Sequence, residues 1–217
     1  MTDTEEHLPP ELELALAYTP SAIRPAMRTY FALDGRLARI LSGTTEPILG
    51  QMRLAWWREM LGKPSAERPS GDAVLDAIGE HWAGNEPAMV PVIDGWEVLI
   101  VSDQLASSQL LDFGKGRACA FLHFLGDATD DERDRAQAAG IRWALADAAR
   151  RVSDDAERAE IVRTALNIRA GGRLPRALRG LAVLDALAMR ALKSGGRPLM
   201  EGRGASLTAL RAGILGA

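Results

Sequence analysis

The sequence holds a single cysteine, Cys119, so no disulfide can form within the chain and the fold must be held by burial and hydrogen bonding. Cys119 lies in the apolar run Ala118-Cys119-Ala120-Phe121-Leu122 with no general base beside it, and reads as a small buried hydrophobe, not a nucleophile. Histidine is as sparse. His7, His81 and His123 stand apart, and none pairs with a carboxylate at ligand spacing, so neither a zinc-site nor a triad pattern is present. Tyrosine and phenylalanine are scarce and β-branched residues seldom cluster, which leaves little from which to build strands. No stretch approaches the ~20 apolar residues that a membrane-spanning helix requires. Lysine is confined to Lys63, Lys115 and Lys193, and with a net charge of -3 the chain is not expected to bind nucleic acid.

What is present is alanine, leucine, arginine and glutamate, with 47% apolar residues, a composition that favours helices around a substantial core. The 217 residues read as one all-α domain, an antiparallel helical bundle, with residues 1–17 as an acidic N-terminal extension. Met1 to Glu13 has neither a basic start nor an apolar run and does not read as a secretory signal, which points to the cytoplasm. A position peripheral to the inner face of a membrane stays open.

Periodicity and punctuation predict a short helix over Pro10 to Tyr18, and another from Ser21 to Gly43 with Ile23, Met27, Tyr30, Leu37 and Leu41 on one stripe. Thr44-Thr45-Glu46-Pro47 opens a third through Leu61, and Ser70 or Asp72 caps a fourth through His81. Val90 to Asp103 reads as a core helix. Asp112 to Leu125 is either a helix or the second half of one broken around Gly114 and Gly116. Thr129 and Glu132 form a capping box for a helix reaching Arg151, Asp154 to Ala170 follows, and the Gly171-Gly172 pair ends it. Leu174 to Leu192 and Ser206 to Leu215 complete the set. Ser194-Gly195-Gly196-Arg197-Pro198 lacks the spacing and lysine of a phosphate loop.

The segment Arg28-Thr29-Tyr30-Phe31-Ala32-Leu33-Asp34-Gly35-Arg36, followed by Leu54-Ala55-Trp56-Trp57-Arg58-Glu59 on the next helix, resembles the opening of the squalene/phytoene synthase family. The resemblance implies an isoprenoid-synthase bundle and, in an active member, head-to-head condensation of two prenyl diphosphates. Clustered aspartates would then hold Mg²⁺ against the departing diphosphate, and arginines would bind its outer oxygens. Aligned on the family's first aspartate motif, this chain has Ala38, Arg39, Ile40, Leu41 and Ser42, with no carboxylate and a fixed cation where a metal ligand belongs. The second motif falls on Arg151-Val152-Ser153-Asp154-Asp155, again with arginine first and with Asp155, beside Asp154, as the acid that survives. The acids from Asp127 to Asp134 follow a Thr cap, where the helix dipole and free amides account for them without a metal.

The resemblance therefore implies a relative that has lost its metal motifs, with no cofactor expected; Mg²⁺ belongs to the active-enzyme alternative alone. The expected role is binding or assembly, with a protein partner or a prenyl or lipid ligand, and the Trp56-Trp57-Arg58-Glu59 segment is similar to that of complex I assembly factor-like members. The alternatives are a working prenyltransferase of squalene, phytoene or related isoprenoid synthesis, and a small anion- or lipid-binding protein. Arg28, Arg53 and Arg58 are the candidate anion ligands, and Tyr30, Trp56 and Trp57 the structural signature residues. Adjacent positions on a helix cannot both face the core, so one of the two tryptophans is expected at a crossing or an interface.

Overall fold

The computed structural model describes residues 7–44, 46–102, 105–169 and 172–215. Thr45, Asp103, Ala170 and Gly171, all placed in or beside elements by the sequence pattern, lie outside the described residues, as does the acidic run over 1–6.

Among the described residues the chain forms ten α-helices and no strand. They are α1 (Pro10–Tyr18), α2 (Arg24–Ser42), α3 (Pro47–Gly62), α4 (Ala73–His81), α5 (Val90–Val101), α6 (Ser107–His123), α7 (Asp130–Ala149), α8 (Asp155–Leu166), α9 (Arg179–Lys193) and α10 (Gly204–Leu215). The caps follow the local chemistry. Asp72 accepts from the Val74 and Leu75 amides at the start of α4, Thr129 and Glu132 close a reciprocal capping box on α7, and Asp154 accepts from the Glu157 amide at the start of α8. Ser21 caps nothing: α2 starts three residues later, with a proline in its first turn where the missing amide costs no hydrogen bond.

One contiguous apolar core draws on every helix from α1 to α10. Helix α6 packs between α5 and α7, α7 continues onto α9, and α9 also carries α1 and α10. Of the expected acidic extension over 1–17, the part that forms α1 is corrected here. Leu12, Ala15 and Leu16 of α1 are buried, so this segment belongs to the core.

Glycine sets the closest approaches. Gly114 and Gly116 do not interrupt α6, which runs unbroken through both. A Cβ at Gly116 would stand 2.4 Å from the Pro91 carbonyl oxygen and 2.7 Å from Gly95 Cα, and one at Gly114 would stand 2.6 Å from the Ile141 side chain. The residues that look like helix breakers are the notches that let α5 and α7 come against α6. This contact outweighs the ~1 kcal/mol that each glycine costs in helix propensity.

Candidate functional site

The stripe that buries Tyr30, Leu37 and Ala38 on α2 also carries Asp34, which is only 4% exposed. A carboxylate in such a position needs permanent partners, because unpaired it would lose its hydration with nothing in return. They come from two other helices. Arg117 on α6, 1% exposed, donates from Nε to Asp34 Oδ1 at 2.8 Å and from Nη2 to Asp34 Oδ2 at 2.6 Å, a two-pronged contact suited to a planar guanidinium. On α5, Trp96 Nε1 donates to the same Oδ1 at 2.8 Å.

Arg117 also reaches Asp147 of α7, with Nη2 3.1 Å from Oδ2, and donates from Nη1 to the Ala144 carbonyl at 3.2 Å. Its guanidinium carbon lies 4.3 Å from the ring centre of Trp143, 4.9 Å from that of Trp96 and 5.3 Å from that of Phe113. A cation surrounded by aromatic faces and two carboxylates is stabilised from every side. Both acids hold the Arg117 charge against the opposing effect of burial. Tyr30 completes the arrangement by donating its hydroxyl to the Arg117 carbonyl at 2.7 Å; burial, and next the Asp34 charge, push that phenol well above its usual range.

Outward from this cluster lies a cavity of about 190 Å³. Its lining includes Asp34, Arg117, Asp147, Trp143 and Phe31, together with Ala38, Arg39 and Ser42 of α2 and Arg150 and Arg151 after α7. Asp147 Oδ1 accepts from Arg150 Nε at 2.8 Å and lies 3.4 Å from Arg151 Nη2, while Arg150 also lies 3.4 Å from Glu11. Burial by itself would raise the Asp147 carboxyl, but the charges of Arg117, Arg150 and Arg151 prevail and take it down to about 2.

That depression predicts an acid-linked loss of stability. The ionised Asp147 contributes fully above the ordinary aspartate range, and its contribution disappears as pH falls through about 2. It amounts to about 2 kcal/mol, from the difference between the ordinary and folded-state values. In urea titrations, the stability difference between the wild type and Asp147→Asn should be constant above about pH 5 and shrink towards pH 2. A difference that does not change with pH would contradict this assignment.

The structure brings together around one cavity Ala38, Arg39 and Ser42 from the first of the two aligned runs and Arg151 from the second. It leaves the rest apart. Asp154 caps α8, and Asp155, 92% exposed at its side chain, pairs with Arg158. The proposed anion ligands do not converge either. Arg28 pairs with Glu13, Arg53 donates to the Thr44 hydroxyl, and Arg58 is held by Asp94 and Glu97. Trp57 is buried and Trp56 is 39% exposed, as adjacent helical positions require. Cys119 is half-buried instead of fully enclosed, and burial raises its thiol.

The sequence pattern alone gives Asp34, Arg117 and Asp147 no site role. Their signal is a lone charge one turn from large apolar residues: Asp34 after Tyr30, Arg117 between Phe113 and Phe121, Asp147 after Trp143. The carboxylates here do not suit Mg²⁺. Both oxygens of Asp34 and both of Asp147 already face arginine donors, and no group of three metal-ligating side chains occurs among the described residues. Compared with known families, with curated proteins and with solved structures, the chain finds no match.

Proposed function

We propose that this chain is a catalytically inert relative of the squalene/phytoene synthases, with the antiparallel bundle of the isoprenoid synthases, and that it works by binding or assembly. One observation carries the reading: the two buried carboxylates that face each other across α2 and α7 are bridged by the Arg117 guanidinium. In an active member, acids on two such helices would share Mg²⁺ and present it to a diphosphate. Here a side chain supplies the positive charge, and its own hydrogen bonds fill the carboxylate oxygens. Arg39 and Arg151 on the cavity lining add charge of the sign that repels a divalent cation.

The cavity beside this cluster, at about 190 Å³, is smaller than the space that small-molecule sites usually occupy, which supports the loss of diphosphate chemistry at that point. The role proposed is engagement of a protein partner or a prenyl or lipid ligand through the bundle. The test is diphosphate release from farnesyl or geranylgeranyl diphosphate by the purified chain, with and without millimolar Mg²⁺, beside an active synthase. Release at the level of the protein-free blank is expected. Magnesium-dependent turnover would overturn the reading and establish the active prenyltransferase in its place.

A further inference from the structure

Helix α10 is built inside out. The side it turns to α9 and α1 is made of Ala205, Ala209, Ala212 and Gly213, with Tyr18 packed against the last of these. Its large apolar residues face solvent: Leu207 is 69% exposed, Leu210 48%, Ile214 57% and Leu215 48%. Helices of a water-soluble bundle place such residues inward, as α9 does with Leu181, Leu184, Leu187 and Leu192. Positions 207, 210 and 214 follow spacings of three and four, so they form a single stripe along the helix.

Charge around the stripe has one sign. Arg203 stands at the head of the same line and Arg211 beside it, both exposed, and no acid occurs from Gly202 to Leu215. Arg197 is exposed in the connection that leads to the helix, Lys193 is exposed at the end of α9, and Arg190 reaches the residues before α10 by donating to the Glu201 carbonyl at 2.7 Å. Glu201 is the one acid in this stretch, and its carboxylate lies 3.7 Å from Arg197. The whole chain carries a net charge of -3, so this basic region stands out against an otherwise acidic protein.

We propose that α10 docks on an anionic lipid bilayer, laying Leu207, Leu210 and Ile214 into the headgroup boundary while Arg203, Arg211 and the neighbouring cations meet lipid phosphates. An apolar stripe bordered by arginine is the pattern of a helix that lies in the membrane interface, and each cation near an anionic surface strengthens partitioning roughly fivefold. A second copy of the chain suits this face poorly, because pairing α10 with itself would offer the arginines no acid. The other exposed apolar stripe, Ile48, Met52 and Trp56 on α3, has Arg53 and Glu59 interleaved with it and shows no such preference of sign.

The experiment is co-sedimentation of the full chain with phosphatidylcholine vesicles and with vesicles that also contain phosphatidylglycerol. The protein should pellet with the second and stay in solution with the first. Arg203→Gln with Arg211→Gln should lower partitioning roughly tenfold or more. Leu207→Gln with Leu210→Gln should abolish it. All four side chains are exposed, so unchanged melting curves will show that the fold is kept. Met52→Gln on α3 serves as the control and should bind as the wild type does. Failure to pellet with anionic vesicles, equal binding to both kinds, or indifference to the paired leucine change would each refute the proposal. A dimer that the leucine change dissolves would assign the face to a second copy instead. Diphosphate release does not enter this test, so its outcome leaves the docking face untouched.

Discussion

Arg117→Met should lower the unfolding free energy by about 4 kcal/mol, measured by urea denaturation at neutral pH. Methionine fills much of the same space, so the loss is electrostatic. Asp34, at 4% exposure, would keep only the Trp96 donor, and Asp147 would lose its innermost partner. Removing one member of a buried ionic group strands the others, whereas replacing the whole group by neutral residues of similar shape often costs little. Arg117→Met combined with Asp34→Asn and Asp147→Asn should therefore recover most of the lost stability. If the single change costs less than about 1 kcal/mol, or the triple variant is the least stable, the bridging role assigned to Arg117 fails.

Gly116→Ala should cost about 3 kcal/mol, the upper part of the range for overpacking. Its new methyl would meet the Pro91 carbonyl and the Gly95 Cα, both of them backbone, so no side-chain rotation relieves the clash. Helices α5 and α6 must move apart, and Trp96 on α5 would be drawn away from Asp34. Gly79→Ala is the counterpart. At that position the nearest atom is Ser65 Cβ at 3.5 Å, an ordinary contact, so alanine should gain roughly 1 kcal/mol from helix propensity. Thermal melts of the two variants should move in opposite directions, and a shared direction would remove the packing explanation.

The helices were legible because their signals are local. The span of α1 agrees with its pattern to the residue, and the caps at Asp72, Thr129 and Asp154 follow from side-chain oxygens placed before runs of free amides. Gly114 and Gly116 misled for the same reason: a glycine that breaks a helix and one that admits a neighbour look alike until the neighbour is known. The acidic look of residues 1–17 likewise concealed Leu12 and Leu16, whose burial depends on α9.

The site was legible only in part. Ala38, Arg39, Ser42 and Arg151, singled out in the sequence, line one cavity, but the pairing of charge across the core depends on distances that no linear pattern carries. Asp34 and Arg117 are 83 residues apart and Arg117 and Asp147 are 30 apart, so nothing local links them. Arg53 and Arg58 stand out as anion ligands because they lie in the tryptophan signature, and Arg28 because it opens the Tyr30 segment. Each instead satisfies an acid or hydroxyl of its own neighbourhood.

A cation that arrives from solution stabilises a protein in proportion to its concentration, so chelation or scarcity weakens the fold. The guanidinium of Arg117 is joined to the same chain as the carboxylates it neutralises, and its local concentration is set by the backbone and cannot be diluted. The core built on Asp34 and Asp147 thus follows no mass-action dependence on a metal supply. The chain carries its counter-ion with it from synthesis onward, at the cost of a buried charge that it can never release.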